Sequence, residues 1–166
     1  MYQSDRWNDL PEAARLWVFT ASRPLELGEK TDLAEQMNQF LGGWKAHGHE
    51  LVAGWSLEIA DRVLLLAVDE SQQKATGCSI DACVAWLREL ERKWSDFTWF
   101  NRHIIMYQNA KGKWKAASLS DFWAMRKAGL IDGRTKLFDS TLGTLGLWRR
   151  EGVVPFEKSW HQEMWA

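Results

Sequence analysis

A very short connection between two strand-like segments constrains the fold of this chain more than any other feature. In segment 51–59, apolar and polar residues alternate from Leu51 to Ile59, which is typical of a strand with one buried face. Segment 63–68 is apolar throughout, as expected for a strand in the middle of a sheet. Because only residues 60–62 separate the two segments, we expect an antiparallel hairpin. This hairpin argues against a doubly wound parallel sheet.

The segments on either side of the hairpin complete a β-α-β-β-α-β order. Residues 14–22 alternate like a strand, and the helix that follows is predicted to begin at a capping box between Asp32 and Glu35. A second helix is predicted from about Ser79, and residues 102–108 form a further alternating strand. The sequence therefore predicts an α+β fold with a ferredoxin-like βαββαβ core. Such a core is a four-stranded antiparallel sheet with two helices on one face.

The last third of the chain has a different pattern. We assign residues 12–108 to the ferredoxin-like core and residues 109–166 to a small C-terminal α/β extension packed on or beside it. A strand at 113–117, a helix capped by Ser120 and a strand at 135–139 are expected within the extension. The tail residues that are expected to pack on the core are Trp148, Phe156, Trp160, Met164 and Trp165.

Charge and composition argue against several classes of function. The 21 Lys and Arg residues and the 22 Asp and Glu residues give a net charge of −1. No broad basic field therefore attracts nucleic acid, and no nucleic-acid partner is expected. No apolar run approaches the length that spans a bilayer. The polar N-terminal segment lacks a signal-peptide core, so a cytoplasmic location without a membrane partner is expected.

Twelve tryptophans are the unusual part of the composition. Tryptophan is prominent both in protein cores and at binding surfaces. Two interpretations therefore stay open: most of these side chains are buried structural residues, or a group of them forms a stacking surface for a partner. An open sheet face or edge would also allow the chain to form a homo-oligomer.

Two loops bring the most chemically capable side chains to one edge of the predicted core. In the predicted topology, loops 44–50 and 69–81 lie at the same end of the sheet. Cys78 lies at the start of the second helix, where free N–H groups and the helix dipole favour a thiolate. With His47 or His49 as its base, Cys78 would be a catalytic nucleophile. The candidate ligand-binding residues at this edge are Trp44, Lys45, Asp69, Gly77, Ser79 and Asp81.

The same residues allow less demanding interpretations. The N–H groups of Gly77, Cys78 and Ser79 would bind a small anion, with Lys45 or His49 assisting. The histidines and Cys78 are ligand types that suit zinc, but their spacing matches no strong motif, so no metal site is assigned. The simplest interpretation is structural, with Cys78 as a small loop residue and Ser79 as an ordinary N-cap.

Several catalytic motifs are absent from the sequence. There is no GxxxxGK[ST] phosphate-binding loop, and residues 28–31 resemble only its end, so ATPase activity is not expected. The GxGxxG, GxSxG and HExxH motifs are absent as well, and no cofactor is assigned. Arg23 and His103, at the opposite edge of the predicted sheet, form a second candidate site.

Four short segments read WKAHG at 44–48, AVDE at 67–70, TGCSID at 76–81 and SWH at 159–161. They resemble an uncharacterised family of bacterial proteins of this length, some of which are labelled as ABC-transporter ATPases. The missing phosphate-binding loop argues against that label. The resemblance implies no established activity, cofactor or catalytic residue.

The region 118–148 contains LSDF at 119–122, AG at 128–129 and RTKLF at 134–138. This pattern is similar to that of GYF-type modules, which are interaction domains. The resemblance implies that the C-terminal third of the chain is a binding appendage.

Two functional hypotheses follow from the sequence. The first is a non-enzymatic binding or protein-interaction protein, with a protein partner or a small anionic ligand. It is favoured because no catalytic motif of recognised spacing is present, and because ferredoxin-like cores often act in binding, an argument from fold analogy alone. The alternative is a small enzyme with a Cys/His or metal site at the edge formed by loops 44–50 and 69–81.

Overall fold

The computed structural model of the protein describes residues 1–165, and the side chain of Trp165 and all of Ala166 lie outside the described part. The fold is mixed α+β, as the sequence predicts. The strands are β1 (Arg15–Thr20), β2 (Lys45–Ala46), β3 (His49–Glu50), β4 (Val52–Glu58), β5 (Val63–Asp69), β6 (Ile105–Gln108), β7 (Trp114–Ala117), β8 (Lys136–Phe138) and β9 (Val153–Pro155). The α-helices are α1 (Leu27–Gly43), α2 (Gly77–Lys93), α3 (Leu119–Lys127) and α4 (Leu145–Glu151). Short 3-10 helices cover Trp7–Asp9, Phe156–Lys158 and Trp160–Trp165.

The predicted hairpin forms the centre of the first sheet. The strand order is β1-β5-β4, and both pairings are antiparallel. The connection between β4 and β5 is so tight that Ile59, Ala60 and Asp61 all have positive φ angles, between 49° and 57°. These residues occupy the left-handed region, which is unfavourable for side chains other than glycine.

The fourth strand of the predicted ferredoxin-like core does not join this sheet. Strand β6 corresponds to the end of the predicted strand 102–108, but it pairs with β7 and β8. These strands form a second antiparallel sheet of order β7-β6-β8-β9. The hairpin from β6 to β7 closes locally, with the Asn109 N–H donating to the Lys113 carbonyl at 2.9 Å. Local closure costs less chain entropy than pairing with the distant β1. In the described residues the first sheet has three strands, so the four-stranded core is not confirmed.

The second sheet packs on the face of the first sheet that the helices leave uncovered. Alternate residues of β5 therefore enter two different cores. Leu64, Leu66 and Val68 pack beneath α1 and α2. Val63, Leu65 and Ala67 pack against a second cluster that includes Met106 of β6 and Phe138 of β8. Strand β4 was predicted to have one buried face, but Gly54 and Ser56 on its other face are buried as well.

The N-terminal segment covers the outer edge of β4. The Ser4 N–H donates to the Trp55 carbonyl at 2.9 Å, and the Leu57 N–H donates to the Tyr2 carbonyl at 2.8 Å. The segment approaches β4 so closely that a Cβ atom at Gly54 would lie 3.3 Å from the Cα atom of Trp7. One edge of the first sheet is therefore protected by main-chain pairing.

Helix α1 begins earlier than the predicted capping box at Asp32 and Glu35. Its N-cap is Glu26, whose side chain accepts from the Glu29 N–H. In return, Glu29 Oε2 accepts from the Glu26 N–H at 2.8 Å. Asp32 lies inside the helix and accepts a hydrogen bond from Gln36 Nε2 at 3.0 Å. Residues 28–31, which resemble the end of a phosphate-binding loop, are consequently helical.

The C-terminal extension has a small core of its own. Helix α3 covers the second sheet with Phe122, which packs with Leu137 of β8 in a buried cluster. The N-cap of α3 is Ser118, whose Oγ accepts from the Asp121 N–H at 3.1 Å, rather than the predicted Ser120. The helix ends before Gly129, which has a φ of 75° and so permits the left-handed terminating turn.

The tail aromatic residues are covered to different extents. Phe156 is buried, Trp148 and Trp160 are half-buried, and Met164 is exposed. The predicted packing of the Trp165 side chain lies outside the described residues. Of the eleven tryptophan side chains that are described, four are buried and seven half-buried, so none of them is fully exposed. No helix within residues 1–165 is both long enough and apolar enough to cross a membrane.

Candidate functional site

The loop between α1 and β4 folds as a small hairpin of β2 and β3. The residues that connect these strands, His47 and Gly48, have φ angles of 51° and 78°. Two consecutive positive φ angles are typical of a type I′ turn, which glycine at the second position favours. His47, His49 and Lys45 are all exposed.

The start of α2 is closed by its own capping box. Thr76 is the N-cap, and its Oγ1 accepts from the Ser79 N–H at 3.3 Å, while Ser79 Oγ accepts from the Thr76 N–H at 2.7 Å. The helix therefore begins two residues before its predicted start at Ser79, which is buried inside the first turn and is not the N-cap. Gly77 and Cys78 are exposed.

The two loops of the predicted site meet through a structural contact. The Trp44 indole N–H donates to the Ser79 carbonyl at 2.7 Å, and both residues are buried. Among the other predicted ligand-binding residues, Asp81 is exposed, and Asp69 accepts from the Ser71 N–H at 3.0 Å within its own turn. Across residues 1–165, no three or more His, Cys, Asp or Glu side chains are arranged to hold a metal ion.

The two cysteines differ in burial and reactivity. Cys83 is only 2% exposed, and burial raises the pKa of its thiol to about 12. This thiol stays protonated at neutral pH and is a poor nucleophile. Cys78 is exposed on the first turn of α2. No hydrogen bond joins it to a histidine within the described part of the chain.

Arg23 and His103, the second candidate site, have unrelated environments. The Arg23 guanidinium forms a two-pronged pair with the Glu29 carboxylate at 2.8 and 2.7 Å and donates to the Ser95 carbonyl at 2.8 Å. The hydrogen bonds from Arg23 lower the pKa of Glu29. Arg23 therefore ties the loop before α1 to the segment after α2. His103 is exposed.

A cleft of about 540 Å³ lies in a different place, along the free edge of β1; we call it the β1-edge cleft. Ile80, Val84 and Arg88 line it from α2, where a spacing of four residues places them on one helix face. The aromatic residues of the lining are Trp17, Phe19, Trp99, Phe100 and Trp160. Its polar residues, besides Arg88, are Thr20, Asn101, Arg102, Ser140 and Thr141.

The cleft exists because the centre of β1 has a strand partner on one side only. The Leu16 N–H donates away from β5, to the Gly143 carbonyl at 2.9 Å. The Thr20 carbonyl also points away from β5 and accepts from Asn101 Nδ2 at 2.9 Å. Main-chain groups alternate along a strand, so the N–H and C=O of Val18 point outward too. Within residues 1–165, neither group has a hydrogen-bond partner on that side.

The cleft carries an unbalanced positive charge. Arg88 and Arg102 are exposed, and neither forms an ion pair with an acidic side chain in the described residues. The Arg88 guanidinium carbon lies 4.5 Å from the centroid of the Phe100 ring, in a cation–π contact. No described residue of the lining is Asp or Glu. The local charge therefore favours an anion although the whole chain is nearly neutral.

Packing holds the aromatic walls in place. Phe19 and Phe100 meet edge to face, with centroids 5.9 Å apart. Trp160 stacks on His161 at 4.0 Å with an interplanar angle of 24°. His161 is buried, and burial lowers the pKa of its imidazole, although Asp139 acts in the opposite direction. A neutral His161 ring therefore supports Trp160 at the rim of the cleft.

Sequence reasoning missed this cleft because its lining comes from separate parts of the chain. The contributing segments are 17–20, 80–88, 99–102, 140–141 and residue 160. The one local signal is the stripe of Ile80, Val84 and Arg88 on α2, where a charged residue continues an apolar face. An unpaired strand edge leaves no mark in the sequence of that strand.

No protein-family model, curated protein or solved structure matches the chain. The resemblances to the bacterial family and to GYF-type modules therefore stay predictions from sequence segments. Functional assignment depends on the chemistry of the cleft and of the loop edge.

Proposed function

We propose that the protein is a non-enzymatic binding protein whose β1-edge cleft binds an organic anion with an aromatic or apolar body. One observation carries the proposal: aromatic walls and two arginines without an acidic partner among residues 1–165 line the same cleft of about 540 Å³. Sites for small organic ligands typically have this volume, with an apolar lining and a few polar groups.

The two arginines supply the expected preference for an anion. A guanidinium group binds a carboxylate or phosphate through paired N–H donors. Because Arg88 and Arg102 are exposed, water screens much of this attraction. We expect each to contribute about 1 kcal/mol, or about fivefold in Kd.

The composition of the lining supports binding rather than catalysis. Its described residues include no cysteine, histidine or carboxylate, which are common nucleophiles and general bases. Ser140 and Thr141 lack a general base within the lining. The alternative enzyme, with Cys78 and His47 or His49, has only the accessibility of Cys78 in its favour.

The test is a titration with 2-naphthoate as the probe anion and 2-naphthalenemethanol as its neutral counterpart. Binding is followed by calorimetry, with quenching of the cleft tryptophans as a second signal. We expect saturable binding of one naphthoate per chain and markedly weaker binding of the alcohol. Arg88→Gln and Arg102→Gln should each weaken naphthoate binding about fivefold.

Arg92→Gln is the matched control for these variants. Arg92 is exposed on the same helix as Arg88, pairs with Glu89 and does not line the cleft. Its replacement removes the same charge and should leave naphthoate affinity within about twofold. Absence of saturable naphthoate binding, or an equal loss in Arg92→Gln, would contradict the proposal.

A further inference from the structure

We propose that the ligand of the β1-edge cleft is a short extended peptide with a free C-terminal carboxylate, which adds to the sheet at Val18. This inference rests on the proposed function and specifies the ligand of the same site. It follows from the main-chain N–H and C=O groups at the cleft. Binding of an anion by the arginines alone would leave these groups without a hydrogen-bond partner.

The outward N–H and C=O of Val18 form a ready-made hydrogen-bonding pair. The Leu16 N–H on one side and the Thr20 carbonyl on the other are occupied, by Gly143 and by Asn101 respectively. Val18 lines the cleft and is half-buried, so this part of the edge does not lie on an open surface. An extended peptide supplies a donor and an acceptor at the spacing that a strand edge requires. A simple aromatic acid supplies neither in that arrangement.

The free part of the edge limits the length of the peptide. Four residue steps separate Leu16 from Thr20, which is about 13 Å at the rise of a strand. Three residues, 17–19, lie between the two occupied ends, so an extended peptide of about three residues fits beside them. A longer strand would run into the contacts that already occupy the two ends of β1. The ligand is therefore a tripeptide or the last few residues of a longer chain.

The positions of the arginines determine the direction of the peptide. Asn101 contacts the Thr20 carbonyl, and Arg102 follows Asn101 in the chain. Phe100 pairs with Phe19 near the same end of β1 and lies beneath Arg88. The Arg88 guanidinium and the main chain of Arg102 therefore lie near the Thr20 end of the free edge. A C-terminal carboxylate at this end makes the peptide run parallel to β1.

The first test varies the ligand and leaves the protein unchanged. The reference probe is acetyl-Ala-Ala-Phe with a free carboxylate, measured by calorimetry beside 2-naphthoate. Methylation of its three amide nitrogens removes every main-chain donor and should weaken binding at least about tenfold, since no peptide N–H remains to donate to the Val18 carbonyl. Amidation of the C-terminus should weaken binding about fivefold or more. Succinyl-Ala-Phe-amide, with its carboxylate at the opposite end, should bind about as weakly as the amidated peptide.

The second test removes the donor from the protein. Val18→Pro eliminates the outward N–H, and the pairing of β1 with β5 does not use that group. Val18→Ala is the matched control because it shortens the side chain and keeps the N–H. We expect Val18→Pro to lose at least about tenfold in affinity for the free peptide, and Val18→Ala to stay within about twofold. Naphthoate affinity should change little in either variant.

Amide hydrogen exchange of the wild-type protein gives a readout that does not depend on folding of the proline variant. The Val18 N–H should exchange more slowly when acetyl-Ala-Ala-Phe is bound and at an unchanged rate when naphthoate is bound. Naphthoate binding together with equal affinities for the free and N-methylated peptides would overturn the peptide inference and leave the anion site standing. Unchanged Val18 exchange with bound peptide would also overturn it. If neither naphthoate nor acetyl-Ala-Ala-Phe binds, the proposed function itself is overturned.

Discussion

Replacing Leu65 by Ala tests whether the second sheet covers the first. Leu65 is 0% exposed and faces the cluster that contains Met106 and Phe138, whereas Leu64 is 0% exposed and faces the helices. If only the helix face were covered, Leu65 would point into solvent. Because both faces are covered, the two leucines should be about equally costly to remove.

The expected magnitude follows from the burial of these side chains. Complete burial of a leucine side chain contributes about 1.5–3 kcal/mol. Truncation to alanine also leaves a cavity, so Leu65→Ala and Leu64→Ala should each lower the free energy of unfolding by about 2–5 kcal/mol. For a chain of this length, each kcal/mol corresponds to a decrease in Tm of about 2–4 °C.

The assay is urea denaturation followed by circular dichroism at 222 nm. Leu130→Ala is the matched control, because Leu130 is 72% exposed and its truncation should change stability by less than about 0.5 kcal/mol. The slope of the free energy with urea should be similar in all variants, which would show that the native states are equally compact. A cost below about 1 kcal/mol for Leu65→Ala, with the full cost for Leu64→Ala, would refute the packing of the second sheet on the first.

Three further predictions concern reactivity, pH and the N-terminal segment. Iodoacetamide should modify Cys78 in the native protein at pH 8 and should modify Cys83 only after unfolding. Mass spectrometry of the modified peptides checks this, and modification of Cys83 in the native protein would contradict its burial. Burial lowers the pKa of His161, so in this pH range the unfolded chain binds more protons than the folded protein. The free energy of unfolding should therefore fall as the pH is lowered from about 7 towards 5. A His161→Phe variant with the same pH slope in urea melts would show that another group is responsible. Gly54→Ala should lower the free energy of unfolding by about 1–3 kcal/mol, because its Cβ would lie 3.3 Å from the Trp7 main chain; an unchanged urea midpoint would argue against this close approach.

Local patterns were sufficient to predict most of the individual elements. The hairpin of β4 and β5 follows from alternation, an apolar run and a connection of three residues. Strands β7 and β8 and helix α3 also lie where the pattern places them, with end errors of one or two residues. The errors at helix starts have a common cause. Near the start of α1, α2 and α3, the sequence contains more than one side chain able to cap, and the wrongly chosen ones lie inside the helix.

The predicted topology placed the two loops of the candidate site, 44–50 and 69–81, side by side. Topological reasoning brought Trp44 and the start of α2 together, and the hydrogen bond from Trp44 to Ser79 shows this contact. The sequence left open whether this contact would be structural or part of a binding site. The exposed residues of that edge, including His47 and Cys78, share no described hydrogen bond. Their chemical capability was visible in the sequence, but their distances and orientations were not.

The sequence by itself determined the α+β class, the central hairpin and the two helices that pack on it, because periodicity and turn residues act over a few neighbouring positions. Only the tertiary structure decided which strand β6 would pair with. The outcome depends on the difference in free energy between a local hairpin with β7 and pairing with the distant edge of β1. The same choice buries the second face of β5 and leaves Val18 without an outer strand partner. The β1-edge cleft is therefore a consequence of long-range pairing, which no segment of the sequence specifies alone.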